Sequence, residues 1–248
     1  MEKPIIIDEF HSYKVDCFGT NNITSKKEFS LFQKMLNKQI ELNNLTYPAW
    51  KEKLSSIDWQ SAVLVEAGKL LESFGYKWWK KQEKDIENVK VELIDILHFL
   101  LSDLAYYHKN VTTEAFDEFY NRGFLNDSLD IEKDFSFKRY LLKLLHFSVN
   151  KEIEAQFFYL AKLFKYTGMD FDEVYRAYFV KNILNEFRQK NGYKQGTYIK
   201  IWKVDLGDGE KEYEDNQVAY HLAKQIPLEK LDTELMKELE KIYKEIKK

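Results

Sequence analysis

Acidic side chains within two apolar helical segments are the residues of this sequence best suited to chemistry. Glu92 and Asp95 lie three residues apart in "VELIDIL", so on a helix their carboxylates share one face. Glu66 has similar apolar neighbours in the preceding segment "VLVEAGKLL". Burying an ionised carboxylate without compensation costs roughly several kcal/mol, so these groups need cations, hydrogen bonds or a raised pKa. If the two helices pack antiparallel, all three carboxylates can meet at one site.

Such a cluster of oxygen ligands suits a hard divalent cation. Mg²⁺ and Mn²⁺ prefer carboxylate oxygens, and Mg²⁺ usually binds through few carboxylates together with substrate phosphates. The pattern therefore indicates metal-dependent phosphoryl or pyrophosphoryl chemistry between helices. Spacing alone leaves a common alternative open, because acidic pairs on helices are more often solvated or ion-paired.

The composition predicts a helical protein of ordinary size. The chain has 248 residues, of which 44% are hydrophobic, so it can bury a sizeable core. With only 9 glycines and 3 prolines, the sequence has few turn-forming residues to connect the strands of a large sheet, and its periodic apolar runs favour helices. We predict an all-α fold, with a main domain over residues 29–248 and an N-terminal arm of unknown role over residues 1–28.

The net charge and the hydropathy of the sequence limit the classes of binding partner and the cellular compartment that we predict. The formal net charge of −3 gives no polyelectrolyte signal, which argues against polymeric nucleic acid and anionic membranes. No stretch approaches the roughly 20 apolar residues of a membrane span, and "MEKPIIIDEFHSYK" lacks a signal-peptide pattern. The single cysteine, Cys17, cannot form an intrachain disulfide. The sequence predicts a cytoplasmic protein with a small-molecule or protein partner.

Periodic apolar positions predict the helices that position the acidic residues. From Phe29 onward, the run "FSLFQKMLNKQIELNN" places Gln39 and Asn43 on a stripe beside the apolar face. The Glu66 helix is predicted to extend from Asp58 to Ser73. The run "ENVKVELIDILHFLLSDLAYYH" forms the next long helix.

The second half of the chain is predicted to contain further helices and one long loop. Short helices are expected over residues 112–140, followed by the helical runs "KRYLLKLLHFSVN" and "EIEAQFFYLAKLF". Asp170 is placed to cap the next helix. After Asn191, the segment "GYKQGTYIKIWKVDLGDGEKEYEDNQ" is predicted to be a loop, and an amphipathic helix follows it.

Four separated blocks of the sequence resemble one family. The blocks "VEAGKLLESFGYKWWKK", "NVKVELIDILHFLLS", "KNILNEFRQKNGYKQGTYIKIWK" and "EDN" are similar, in order and wording, to the dimeric dUTPases of the all-α NTP pyrophosphohydrolase superfamily. The resemblance extends from Phe29 to the C-terminus and is weakest over residues 108–150. It implies a homodimer that uses Mg²⁺, or alternatively Mn²⁺, to hydrolyse dUTP to dUMP and pyrophosphate, with dUDP as a further tolerated substrate.

The resemblance also implies a role for each acidic residue. The family has an ExxE pair on one helix and an ExxD pair on the next, and Glu66, Glu92 and Asp95 match three of these four metal ligands. Lys69 stands where the second glutamate of ExxE belongs, so Glu66 and Lys69 occupy the catalytic positions. In the family the missing carboxylate positions or deprotonates the attacking water, and an ammonium cannot accept that proton.

Three interpretations of Lys69 remain open, one of which is that it is a substitution particular to this chain; the other two are physical arrangements of its side chain. Its ammonium can lie across the three carboxylates as a built-in cation, or its flexible stem can reach the rim of the site and contact substrate phosphate. The leading prediction is a dUTP diphosphatase impaired by Lys69. One rival is a catalytically deficient protein that binds deoxyuridine nucleotides or a protein partner. Another is a pyrophosphohydrolase for a different nucleotide.

The resemblance implies the remaining substrate contacts as well. The amides of Gln39 and Asn43 would read the edge of uracil, since amides offer both donors and acceptors. His98 is predicted to be a hydrogen-bonded core residue and not a ligand. The implied phosphate-binding residues are Lys181, Asn185, Arg188, Lys194 and Lys200, and further base or sugar contacts would come from Trp78, Lys80, Tyr193 and Asn216. Without the resemblance, the basic residues would equally fit an ordinary solvated face.

Overall fold

The computed structural model of this chain describes residues 25–125, 134–207 and 209–247 as an all-α fold. The predicted arm lies almost entirely outside these residues, as does Cys17. No helix in the described part is long and apolar enough to cross a membrane. Its α-helices are α1 (Lys26–Thr46), α2 (Trp50–Lys53), α3 (Ser56–Phe74), α4 (Ile86–Tyr107), α5 (Thr113–Phe116), α6 (Asp134–Asn150), α7 (Ile153–Tyr166), α8 (Phe171–Lys190), α9 (Asp215–Ala223) and α10 (Leu231–Ile246).

Local sequence signals set the ends of the helices around the acidic residues. A capping box of Ser55 and Asp58 begins α3, which starts slightly before its predicted position. The helix ends at Gly75, whose φ of 77° lies in the left-handed region that favours glycine. The side chain of Asp85 accepts a hydrogen bond from the backbone of α4 at its start. Asp170 caps α8, as predicted.

Helices α3 and α4 pack antiparallel. Near the start of α3, Ser56 Oγ donates to Asp103 Oδ2 near the end of α4, at 2.9 Å. Near the end of α3, Ser73 Oγ accepts from Asn88 Nδ2 near the start of α4, at 2.6 Å. The middles of the two helices are therefore side by side, which is the arrangement that the acidic cluster requires.

Helix α8 joins two hydrophobic cores. Its first half packs into a large core with α1, α3, α4, α6 and α7. Its second half, including Phe187, packs with Trp202, Leu235 and Tyr243 into a smaller core formed with α9, α10 and the segment before them. Because α8 belongs to both cores, groups on it have a fixed position relative to α3 and α4. The middle segment, 112–140, contains α5, a π-helical continuation (Asp117–Phe124) and the start of α6.

The segment predicted as a loop after Asn191 contains a β-hairpin, so the loop prediction is wrong for these residues. Strands β1 (Ile201–Asp205) and β2 (Glu210–Glu214) pair antiparallel. Trp202 is fully buried and anchors β1 to the smaller core, while Lys203 and Glu210 form a cross-strand ion pair at 2.7 Å. Such short strands carry too little alternation to be detected from sequence, and burial of the tryptophan decides their structure.

The carboxyl group of Asp103 gives a prediction for stability. It is 2% exposed, and burial raises its pKa, with the hydrogen bonds from Gln60 and Ser56 opposing that rise. A carboxyl whose folded pKa is raised favours folding below the unfolded pKa, and this contribution is lost as pH rises through the folded pKa. Asp103→Asn does not titrate at this position, so the stability of the variant relative to the parent should increase between about pH 4 and about pH 7. The free energies of unfolding of the parent and the variant, measured in urea at both pH values, test this prediction. A difference between the two proteins that does not change with pH would contradict it.

Candidate functional site

A cleft of about 720 Å³ lies where the two cores meet, between α1, α3, α4, α8 and the segment after α8. Most of the predicted site residues line it, although they come from distant parts of the sequence. These residues are Gln39, Asn43, Glu66, Lys69, Glu92, Asp95, Lys181, Asn185, Arg188, Tyr193, Lys200 and Asn216.

The predicted acidic residues form a cluster on one wall of this cleft. Glu66, Glu92 and Asp95 each offer a carboxylate oxygen, and these oxygens lie within 4.8 Å of one another. Glu66 and Glu92 are buried, whereas Asp95 is partly exposed. The antiparallel packing of α3 and α4 thus produces the meeting of carboxylates that the sequence predicts.

Lys69 lies at this cluster. Its Nζ donates to both carboxylate oxygens of Glu66, at 2.9 and 3.0 Å. The side chain of Lys69 is 54% exposed, so its stem extends along the surface while its ammonium contacts the buried carboxylate. Hydrogen bonding to Glu66 raises the pKa of Lys69, with smaller contributions from Glu92 and Asp95. The ammonium of Lys69 therefore acts as a built-in cation for Glu66, which is one of the arrangements considered from the sequence.

The other two carboxyl groups have raised pKa values. Burial, followed by hydrogen bonding with Glu66 and the charge of Asp95, raises the pKa of Glu92 to about 7. Burial also raises the pKa of Asp95, against the lowering effect of Lys181. Like charges held together in a low-dielectric environment resist ionisation unless cations compensate them. The cluster therefore has the electrostatic character of a cation site.

Basic and amide groups of α8 also line the cleft, beside the acidic cluster. Lys181 Nζ donates to Asp95 Oδ2 at 3.0 Å, and its side chain is only 5% exposed. Arg188 donates to Asp215 through Nε and Nη2, both at 2.8 Å. It also donates to Asn185 Oδ1 at 3.0 Å and to Asn216 Oδ1 at 3.3 Å. The guanidinium thereby fixes the start of α9, and with it Asn216, at the cleft.

Amide and imidazole groups form a buried polar network at the other end of the cleft. Gln39 Nε2 donates to Asn43 Oδ1 at 2.9 Å, and Gln39 Oε1 accepts from His98 Nδ1 at 2.7 Å. Since this ring nitrogen carries the hydrogen, His98 Nε2 is an acceptor. Burial, then the charge of Lys181, lowers the pKa of His98 to about 3, so the ring is neutral. Within the described residues, His98 Nε2 and Asn43 Nδ2 have no hydrogen-bond partner.

Three of the predicted contact residues do not line the cleft. Trp78 and Lys80 lie in the turn after α3, where Trp78 is 88% exposed. Lys194 is exposed, and its ammonium lies 5.9 Å from the ring centre of Tyr47, which does line the cleft. Lys200 lines the cleft but pairs with Glu214 at 3.5 Å.

Several cleft residues have no assigned role in the sequence analysis. Asn88 donates to Glu92 Oε1 at 3.3 Å, and Ser102 donates to Asn43 Oδ1 at 3.2 Å. His98 is a hydrogen-bonded buried residue as predicted, but it also lines the cleft. Together with Glu92 and Asp95, these residues occupy one side of α4, since positions three, four and seven apart align on a helix. That shared face is the signal that could have identified them.

The residues at the acidic cluster fit a divalent metal ion. All three potential ligands are hard carboxylate oxygens, which Mg²⁺ and Mn²⁺ prefer. Burial and the neighbouring carboxyl groups of Glu66 and Asp95 raise the pKa of Glu92, so a cation bound among them would favour its ionised form. The neighbouring Lys181 and Arg188 are suited to the phosphate groups that commonly share such a metal.

The sequence of this chain matches a known protein family. A family model described as dUTPase matches residues 31–193, about two thirds of the chain. The match includes the acidic cluster, Lys69, the amide network and the basic residues of α8, and it ends at Tyr193, before the hairpin. No curated protein matches the chain.

Proposed function

Because the chain belongs to the dUTPase family, we propose that it hydrolyses dUTP to dUMP and pyrophosphate, and also accepts dUDP. Members of this family use a divalent metal, and we assign Mg²⁺ to this chain, with Mn²⁺ as a substitute. The observation that carries the proposal is the presence, in one cleft, of a carboxylate cluster, the basic groups of α8 and a polar pocket. The polar pocket is the hydrogen-bonded network of Gln39, Asn43 and His98. Triphosphate hydrolysis requires the first two, and base selection requires the third.

The polar pocket supports uracil as the base. Uracil presents an N–H donor between two carbonyl acceptors. In the part of the chain that the structure describes, neither the acceptor His98 Nε2 nor the donor Asn43 Nδ2 has a hydrogen-bond partner, so uracil would satisfy both. Cytosine carries an acceptor and an amino donor at the corresponding positions, which would leave buried groups of the pocket unpaired. The Gln39 side chain holds both neighbours in place.

The opposite end of the cleft supports phosphate binding. Lys181, Asn185 and Arg188 would bind the triphosphate, with Lys200 nearby and Lys194 at the rim. Glu66, Glu92 and Asp95 would hold the metal, which when bound supplies positive charge to the phosphate oxygens and acidity to the attacking water. Tyr193 and Asn216 would close over the nucleoside, because Arg188 connects their segment to α8.

Lys69 sets the expected rate. Its ammonium occupies Glu66 and offers no lone pair for a proton, so we propose that hydrolysis is impaired in this chain. The second candidate function follows from the same contact: a protein that binds deoxyuridine nucleotides without turning them over. Detectable pyrophosphate release from dUTP favours the impaired enzyme, and binding without release favours the second candidate.

We also propose that the protein is a cytoplasmic homodimer. Trp78 and Trp79 are 88% and 58% exposed and contact each other, which is an unusual state for aromatic residues without a partner surface. Because Trp78 and Lys80 lie outside the cleft, any contact between them and a base would require movement of their turn or a second copy. Sedimentation of the parent and of Trp78→Ala tests this, and a parent that remains monomeric at all concentrations would contradict it.

The proposed reaction is tested by pyrophosphate release. The full chain is incubated with Mg²⁺ and, in separate reactions, with dUTP, dTTP, dCTP or UTP, with a metal-chelated sample as the blank. Release from dUTP that exceeds release from the other nucleotides supports the proposal. Release from another nucleotide in preference to dUTP would replace it with the rival pyrophosphohydrolase.

Gln39 gives the sharpest test of base selection. Removing its amide in Gln39→Ala releases Asn43 and His98, so the ratio of kcat/KM for dUTP over dCTP should fall by about 10- to 100-fold. Gln33→Ala is a matched control, because Gln33 donates to Asn37 in the same geometry on α1, at 2.9 Å, but lies outside the cleft. A ratio unchanged in Gln39→Ala would disprove the uracil-reading role.

A further inference from the structure

Two of the three carboxylates in the cluster are already paired with lysine. Lys69 contacts both oxygens of Glu66, and Lys181 contacts Asp95 at 3.0 Å. The third, Glu92, accepts from the amide of Asn88 at 3.3 Å. The protein therefore supplies its own cations to the site that the proposed function assigns to a divalent metal.

An ammonium and a metal ion compete for such a carboxylate. Each draws on the same oxygen lone pairs, and two positive centres brought within a few ångströms repel each other in a partly buried site. Metal binding therefore requires the lysines to move away from the carboxylates or to gain a compensating anion.

The two lysines differ in what they need in order to move. The side chain of Lys69 is 54% exposed, so its ammonium can turn into solvent and be hydrated there. The side chain of Lys181 is 5% exposed. Without Asp95, its charge would be buried and unpaired, which is costly, unless another anion enters the cleft.

We propose that Lys181 makes metal binding conditional on an anion of the phosphate class, whereas Lys69 lowers metal affinity whether or not the anion is present. A phosphate group in the cleft takes over Lys181 and leaves Asp95 free for the metal. By linkage, the metal strengthens anion binding by the same factor. This inference rests on the proposed function for the identity of the metal site, but it does not depend on uracil recognition or on turnover.

Calorimetric titration of the full chain with MgCl₂ tests the proposal without measuring activity. The protein is titrated in sodium chloride, in sodium sulfate at equal ionic strength and in the presence of dUMP. Sulfate and dUMP carry oxyanions of the required class and chelate Mg²⁺ only weakly. We expect sulfate to tighten Mg²⁺ binding to the parent by about tenfold, a typical coupling factor.

Variants separate the roles of the two lysines. Lys181→Met should bind Mg²⁺ about tenfold more tightly than the parent in chloride and should lose the sulfate effect. Lys69→Met should also bind Mg²⁺ more tightly in chloride, but it should keep the sulfate effect. Lys190→Met is the matched control, because Lys190 pairs with Glu186 on α8 at 2.6 Å and does not line the cleft. Its Mg²⁺ affinity should equal that of the parent.

The outcomes distinguish this proposal from the proposed function. Equal Mg²⁺ affinity of the parent in chloride and sulfate would overturn it, and this arm needs no variant that has to fold. A sulfate effect retained in a folded Lys181→Met would also overturn it. If sulfate acts as expected while dUMP adds nothing beyond sulfate, the lysine exchange stands and deoxyuridine recognition fails.

Discussion

Replacement of Lys69 by glutamate should increase pyrophosphate release from dUTP by at least about 100-fold, the lower range of general-base contributions. The substitution removes the ammonium that occupies Glu66 and introduces a carboxylate one turn along the same face of α3. That carboxylate can accept a proton from water and can serve as a fourth oxygen ligand. The exposure of Lys69 means that the helix tolerates the change.

Lys69→Met separates the two effects of this substitution. It removes the positive charge without adding a carboxylate, so its rate should lie between those of the parent and Lys69→Glu. If Lys69→Met is as fast as Lys69→Glu, the rate of the parent is limited by the ammonium that occupies Glu66. The absence of a carboxylate base at position 69 would then not limit the rate. If the parent is already as fast as Lys69→Glu, the impairment proposal is wrong and three carboxylates suffice.

Loss of the Asp95 carboxylate should have the second large effect. Asp95→Asn removes one of the three proposed metal ligands and leaves the buried ammonium of Lys181 without its ion-pair partner. An amide is a poor ligand for Mg²⁺ in a site of this charge. We expect the Mg²⁺-dependent rate in the Lys69→Glu background to fall by at least about 100-fold.

The measurement is the dependence of pyrophosphate release on Mg²⁺ concentration. Asp103→Asn is the matched control, because Asp103 is another hydrogen-bonded aspartate on α4 but does not line the cleft. Its Mg²⁺ response should be unchanged. A full Mg²⁺ response in Asp95→Asn would show that Asp95 is not a metal ligand. Glu92 and Asp95 would then be ordinary ion-pairing residues.

Much of the fold follows from local sequence. Apolar periodicity places α1, α3, α4 and α8, and the caps at Asp85 and Asp170 set where two of them begin. Spacing on a single helix predicts that Glu92 and Asp95 share a face. Short-range geometry of this kind depends only on 3.6 residues per turn, so it can be calculated without knowing the tertiary structure.

The hairpin and the partners of the polar groups could not be derived in this way. Lys69 pairs with Glu66 within α3, but the other two carboxylates near its ammonium, Glu92 and Asp95, come from α4. The pairing of Lys181 with Asp95 joins residues 86 positions apart in the sequence. The exposure of Trp78 likewise depends on what packs against its turn.

Residue patterns along the chain are sufficient to predict the family, the main helices and the types of residue available for chemistry. The packing of the helices determines that Lys181 pairs with Asp95 and that Glu92 and Asp95 lie beside the local pair of Lys69 and Glu66. The physical reason is that the energy of a charge depends on its distance from other charges and on its burial. Both quantities are fixed only when α3, α4 and α8 pack together.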